Sequence, residues 1–530
     1  MSSAVESVAA PLSRRWPRVD IIAWSIVAIV TGMRAVAAFS VPLIGDEGYY
    51  WEWARHLALG YSDHPPGVAY TIFAFGWLGT NPFAVRIGFI LCGIVATVFA
   101  AKTAQRLTNG DSRAGAVTAL AITLTPLSSV AFGSASPDGP YLAAWAAALY
   151  CAVRAFETHL RRRYVWLGIA LGAVLLTRIF AFALVFGVVM YALAPGRRRY
   201  WHEGLWLSFL IAGIMCVPFL IWNSTHGWAT FVFALVNRHE EHWRWYEPFV
   251  LHLMETAAYS PGLWIGALLS IFYARNAFLN WTAVPMIVLM TLLSFHESVE
   301  IHWMFGAYLS LSVAIGIVFV RLAARTRVIW ATIAAVPALI IFPLVFIAAV
   351  EPGFVYEQFV RTGSTLRNTG GFEIFTVPSL AIDVRNMMEA NDAVVVTDGY
   401  GLSSTLDFYG GVPPVVIGYN AQGQEAMRWY DPDMQPRRIL FVDKEPLSPR
   451  PGHPEDKGRP DFALQLRRAC TRVIAGPTLG YEFHDSSGHL VPARLYFTTW
   501  CEGPRPHALR ILQWDQRYSP PPGAAYGAAM

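Results

Sequence analysis

The sequence predicts a polytopic α-helical membrane protein with a soluble α/β domain at its C-terminal end. Of 530 residues, 55% are hydrophobic and only 14% are charged, and the mean hydropathy is +0.40, too apolar for an ordinary soluble chain of this length. The apolar residues gather into runs of about 17 to 25, the length that a spanning helix needs. Lys and Arg cluster between alternate runs, the pattern of the positive-inside rule. The net charge of +4 and the short basic clusters argue against nucleic acid as a partner.

Taken in order, the runs give about eleven spans. Arg14, Arg15 and Arg18 precede the first, Asp20 to Pro42, which is longer than a usual signal core and is read as a retained span with a cytoplasmic N-terminus. The loop over 44–80 then lies outside, with residues 67–79 forming a helix too short to cross unaided. Spans follow near Phe83 to Thr103, Ala114 to Phe132 and Pro140 to Phe156. The apolar run Tyr164 to Pro195 has Arg161 to Arg163 before it and Arg197 to Arg199 after it, so it goes out and returns as two short helices that turn at Thr177-Arg178. Gly204 to Trp222, Pro248 to Tyr273, Phe278 to Phe295, Trp303 to Val320 and Val328 to Val350 complete the set. A polar external loop rich in Trp, His and Glu runs from Asn223 to Glu247 and includes Arg238 to His242.

From Glu351 onward, Pro, Gly, Asp and Arg interrupt every long apolar run, so residues 1–350 form the membrane domain and 351–530 an extracytoplasmic α/β domain large enough for its own core. Val377 to Ala390 has helical spacing, Ala393 to Val396 and Arg438 to Val442 read as buried strands, and Leu402 to Tyr409 as a short helix between them. Tyr518 to Met530 reads as a disordered tail. Cys92, Cys151 and Cys216 fall inside apolar spans as small hydrophobic filler. Cys470 and Cys501 lie in the polar part, where a disulfide is plausible on the oxidising side, although sequence does not give their separation in space.

Chemistry concentrates between Ile44 and Val68, I-G-D-E-G-Y-Y-W-E-W-A-R-H-L-A-L-G-Y-S-D-H-P-P-G-V. Asp46, Glu47 and Asp63 sit directly after an apolar run, which presents carboxylates at a membrane boundary. Gly45 and Gly48 permit a tight backbone path, and His64-Pro65-Pro66 stiffens the exit. The competing reading is an interfacial aromatic belt with solvated acids.

The D-E pair, followed by Y-Y-W-x-W-x-R-H-L and then Y-x-D-H-P-P-G, resembles the first external loop of the polyprenyl-phosphate-dependent membrane glycosyltransferases. This family holds bacterial glycosyltransferase-39-type enzymes, lipid A aminoarabinose transferases and protein O-mannosyltransferases. The resemblance covers roughly the first 350 residues. It implies a GT-C fold and makes Asp46 the general-base candidate, with Glu47 beside it and Asp63-His64-Pro65-Pro66 as the second half of the site. Asp138, in S-P-D-G-P, matches the acid of the second external loop, with a helix N-cap as its structural alternative. The W-N-S-T-H-G-W stretch from Trp222 and the pair His302-Trp303 also look like family signatures.

Arg34, Arg86 and Arg178 break the charge bias near the outer face, where a cation is costly enough to need a partner or a ligand. The V-R-I context of Arg86 resembles the family's arginine at that position, and Arg178 stands where relatives often have lysine. All three are candidates for pairing with Asp46, Glu47, Asp63 or Asp138, or for holding the donor phosphate bidentately.

The expected reaction is inverting transfer of a hexose or pentose from a polyprenyl-phosphate donor to a hydroxyl acceptor on lipid, glycan or protein, at the outer face of the plasma (inner) membrane. No nucleotide is required, since the donor is already activated on lipid. His64, Glu300 and His302 lack metal-ligand spacing, so a divalent cation is optional. The alternative is a secondary transporter or lipid flippase, which places ionisable groups near the midplane in two matched halves. Neither the sugar nor the acceptor is legible.

Overall fold

The computed structural model describes residues 18–158, 160–236, 243–297, 299–361, 370–413, 415–416, 433–448, 458–484 and 490–513, together with residues 425, 429 and 431. Arg14 and Arg15, the stretch from Arg238 to His242, and the tail from Tyr518 to Met530 lie outside the described residues.

Helix α1 (Arg18–Ser40) leads into α2 (Gly45–Arg55) and the short α3 (Gly67–Phe73), and α4 is Pro82–Leu107. Asn81 caps α4 by accepting from the Ala84 N–H, and Pro82 at the first turn has no N–H to leave unpaired. Next come α5 (Ser112–Thr123), α6 (Leu127–Gly133) and α7 (Asp138–Phe156). The expected third span is therefore a helix pair, α5 and α6, bent by 84° with Pro126 at the break.

The run after Arg161 divides at Thr177-Arg178, where the turn is expected. Helices α8 (Arg161–Leu175) and α9 (Phe182–Leu193) are separated by Arg178 in extended backbone (φ −148°) and a 3₁₀ turn. Then come α10 (Trp206–Thr225) and α11 (Ala229–Leu235). The single span expected over Pro248 to Tyr273 is instead two helices, α12 (Glu247–Tyr259) and α13 (Pro261–Tyr273). Ser260 adopts φ +72° between them, and Pro261 supplies no N–H to continue the ladder.

Helices α14 (Ala277–Leu293), α15 (Phe305–Arg321) and α16 (Ala324–Val350) complete the bundle. By length and composition, five described helices are apolar enough to cross a membrane, or six if the bent pair counts as one span, and four further apolar helices are shorter. The count of eleven is therefore not what the helices themselves establish, because breaks at proline and at polar turns divide several of the apolar runs. One core runs through α4, α5, α7, α8, α9, α14 and α15, with Trp145, Tyr141, Phe132, Tyr164 and Leu279 fully buried.

After α17 (Pro352–Arg361), α18 (Val377–Asn391) leads into a mixed sheet of order β1-β2-β4-β3. Strand β1 (Ala393–Thr397) pairs in parallel with β2 (Arg438–Asp443), and the hairpin of β3 (Cys470–His484) and β4 (Leu490–Pro504) adds antiparallel to β2. Alternation along the strands sends Val395, Leu440 and Val442 against α18 and α19 (Tyr400–Gly410), and Val396, Ile439 and Phe441 against the helices at Pro460–Ala469 and Ala508–Gln513. Helices thus cover both faces of the sheet. Cys470 and Cys501 form a disulfide across the hairpin, with Cα atoms 5.5 Å apart.

Candidate functional site

The site is built around α2. Glu47, at the third helical position, reaches back to accept from the Ile44 N–H at 3.0 Å, which satisfies one of the helix's orphan donors. It does more than cap. The Arg86 Nε donates to Glu47 Oε1 at 2.7 Å and Nη2 to Oε2 at 2.5 Å, while the Ala135 N–H donates to Oε1 at 2.8 Å. The same guanidinium also donates to the carbonyls of Val41 at 2.6 Å and Pro42 at 2.9 Å, just past the end of α1. Both side chains are buried, Glu47 wholly.

This pair ties α1, α2, α4 and the entry to α7 together. The sequence made Glu47 a catalytic candidate beside Asp46 and left Arg86 either to pair with an acid or to hold the donor phosphate. The structure shows the pairing, with the charges and most of the donors and acceptors of both groups taken up by each other and by backbone.

The neighbouring acid is different in kind. Asp46 is exposed, and among the described residues its one hydrogen-bond partner is the Tyr400 hydroxyl, which donates to Oδ1 at 2.8 Å. One helix turn along, the buried Tyr50 phenol is held well above its ordinary pKa by burial first, then by the charges of Asp63 and Asp46, with Arg178 acting in the opposite sense.

Asp63, His64 and Arg178 line a single recess with Ile179, Phe180, Phe233, Ala234 and Trp303. Asp63 accepts from the Tyr49 hydroxyl at 3.4 Å. Arg178 Nε stands 3.1 Å from Asp138 Oδ1, and His302 Nε2 is 4.0 Å from Asp138 Oδ2. Among the described residues Asp138 is the one ion-pair partner of Arg178, which it meets at Nε. Both members of the pair are nearly wholly buried.

Of the nine residues that sequence singled out, Asp63, His64 and Arg178 line the recess, Asp138 pairs with Arg178, and His302 stands beside Asp138, while Asp46 is not among the lining residues. Arg34 does not line the recess. It donates to the Thr123 carbonyl at 3.2 Å and to Ser128 Oγ at 2.6 Å, where it satisfies the broken end of α5 against α6. Among the described residues no group of three His, Cys, Asp or Glu is placed to hold a metal ion.

Sequence reasoning missed the part played by the C-terminal domain. Helix α19 lies on α2, and the two backbones touch at glycines: a Cβ built on Gly45 would come within 2.7 Å of the Gly401 Cα. Arg55 Nη1 donates to Asp407 at 2.5 Å, the Leu43 N–H donates to the Tyr409 hydroxyl at 2.7 Å, and Ser62 donates to Glu425 through both N–H and Oγ. Glycine spacing in G-D-E-G and in D-G-Y-G, Gly399 to Gly401, was the available signal, but nothing in the sequence pairs the two.

Glu52 is enclosed under this contact. Burial first, then the adjoining Asp407 carboxyl, pushes its pKa up to about 10. A raised carboxyl holds its proton in the folded state, so its contribution to stability is full below the ordinary carboxylate range, about pH 4. That contribution is lost as pH rises through the folded value. The thermal midpoint of the wild type is therefore expected to fall between pH 6 and 9, and Glu52→Gln is expected to flatten that slope. Scanning fluorimetry of both proteins across that range checks it, and equal slopes would remove Glu52 as the cause.

Comparison with known proteins agrees with this architecture. Residues 63–222 match the family described as dolichyl-phosphate-mannose-protein mannosyltransferase. The chain is 28% identical over 292 residues to the lipid A galacturonosyltransferase RgtD of Rhizobium johnstonii, a match covering 50% of this chain and 58% of that relative. In structure it resembles ArnT from Cupriavidus metallidurans bound to undecaprenyl phosphate, with a TM-score of 0.59 at 16% identity over 90% of this chain and 97% of that one. It also resembles the arabinofuranosyltransferase AftD from Mycobacteria, with a TM-score of 0.52 at 13% identity over 91% of this chain and 40% of that one. The chain thus shares the fold of the ArnT and AftD structures, and residues 63–222 resemble the dolichyl-phosphate-mannose-protein mannosyltransferase family.

Proposed function

We propose that the protein transfers a sugar from a polyprenyl-phosphate donor to a hydroxyl acceptor at the outer face of the inner membrane, with inversion. The observation that carries this reading is the convergence of Asp63, His64 and the Arg178–Asp138 pair on one recess, with Asp46 exposed on the first turn of the helix that the same loop forms.

Asp46 Oδ2 takes the acceptor proton as the acceptor oxygen bonds to the anomeric carbon. The bond from that carbon to the phosphate oxygen breaks, and polyprenyl phosphate leaves. Phosphate charge grows as the bond breaks, so a buried guanidinium aimed at it favours the transition state over the ground state. Arg178 meets this need better than Arg86, whose guanidinium is engaged at Nε and both Nη groups by Glu47 and by the carbonyls of Ala38, Val41 and Pro42, whereas Arg178 meets its acid at Nε. Asp138 fixes the direction of the Arg178 fork, and His302 stands behind Asp138. Trp303 and Phe180, whose rings are 4.7 Å apart, give the recess an apolar wall suited to a sugar face or a prenyl chain.

The name of the curated relative makes lipid A the acceptor to test first, and a galacturonosyl group the sugar to test first. The test is radiolabel transfer from a panel of polyprenyl-phosphate hexose, hexuronate and pentose donors in membranes that contain or lack the protein, beside substrate uptake into vesicles. Protein-dependent transfer of at least one sugar is expected. Uptake without transfer would favour the transporter reading.

A further inference from the structure

Asp46 lies on the first turn of α2 with its side chain in the open. An exposed aspartate samples several rotamers, so a general base in that position needs something to hold it. The membrane domain supplies no such group among the described residues. The C-terminal domain does, through Tyr400.

Three features fix the Tyr400 hydroxyl. First, Tyr400 opens α19 directly after β1 and the Asp398-Gly399 turn, at the carboxyl end of a parallel strand, where α/β sheets present functional side chains. Second, the residue after Tyr400 is Gly401 and the residue before Asp46 is Gly45, and these two glycines are in backbone contact, with a Cβ on either coming within 3.0 Å of the other's Cα. The close approach sets the reach between the two functional side chains. Third, the Tyr400 ring packs 4.8 Å from the Tyr49 ring, and the Arg55–Asp407 pair pins the far ends of the same two helices.

We propose that Tyr400 is the positioning residue for Asp46: its hydroxyl donates to Oδ1 and turns Oδ2 toward the acceptor. The inference rests on the reading of Asp46 as general base. It makes the two domains a single catalytic unit, because a membrane-loop carboxylate is oriented by a hydroxyl 354 residues away in sequence. Any movement of α19 on α2 would then set the rate of transfer.

The experiment compares Tyr400→Phe and Asp46→Asn with the wild-type full chain in membranes, using the polyprenyl-phosphate donor panel, and follows initial rate against donor concentration. Loss of one hydrogen bond to a charged group predicts a kcat lowered about 10- to 100-fold in Tyr400→Phe, with the donor KM changed by less than about twofold. The thermal midpoint in detergent is expected to stay at the wild-type value, because the ring packing is retained. A kcat equal to wild type in Tyr400→Phe, with Asp46→Asn inactive, leaves the base assignment standing and overturns the role of Tyr400. A lower kcat accompanied by a lower thermal midpoint and a higher KM also overturns it, in favour of simple domain docking. Full turnover by Asp46→Asn overturns the base assignment, and this inference with it.

Discussion

Asp46→Asn is expected to lower transfer by roughly 10²- to 10⁴-fold, the range that a positioned general base contributes. The variant should remain folded. Asn keeps an oxygen to accept from Tyr400, and the position is exposed, so nothing buried is left unpaired. What it loses is the ability to take a proton. The measurement is label transfer from the polyprenyl-phosphate donor panel, with binding of undecaprenyl phosphate followed by tryptophan fluorescence as the control. Donor binding should persist, because the proposed phosphate contact is Arg178 and not Asp46. Unchanged transfer would instead point to Asp63, the carboxylate inside the recess.

The second large effect is on folding. Arg86→Met is expected to cost about 3–5 kcal/mol, because it strands the wholly buried Glu47 carboxylate without its cation. Combining it with Glu47→Leu should recover much of that loss, since an apolar pair of similar volume carries no stranded charge. The double variant will not recover all of it, because the N–H groups of Ile44 and Ala135 also rely on Glu47. Detergent-stable abundance and thermal midpoint report the result. An Arg86→Met protein that folds with wild-type stability but does not bind undecaprenyl phosphate would return Arg86 to the donor site.

These two predictions separate neighbouring residues that sequence reasoning could not. Asp46 and Glu47 are adjacent in a helix, so they point about 100° apart, one outward and one into the packing of α1, α4 and α7. Nothing in the dipeptide says which is which. For the same reason Arg86 and Arg178 looked equivalent as unexpected cations near one face. Only packing shows that the first is consumed by a carboxylate and three carbonyls, while the second is held by one acid at the wall of a recess.

Span counting fared less well than motif reading. Hydropathy sees composition over a window, whereas whether a run crosses in one piece depends on local backbone. Pro126 and Pro261 stand where the runs 114–132 and 248–273 divide. The long hairpin of β3 and β4 escaped for another reason. Its strands carry Gly476, Pro477, Gly480 and Pro492, residues that lower strand propensity, and a register shift between Ala475 and Thr478 takes up the first two in the folded sheet.

By itself the sequence determined that this is a membrane protein with a C-terminal α/β unit, and that the apolar run after Arg161 breaks at Thr177-Arg178. Those conclusions follow from composition and from spacing along one stretch of chain, and both survive without knowing what folds against what. Tertiary structure alone decided which acid is exposed, which arginine pairs with Glu47 and that Tyr400 meets Asp46. Hydrogen bonds and charge pairs form between groups near in space, and the chain brings those groups together from opposite ends.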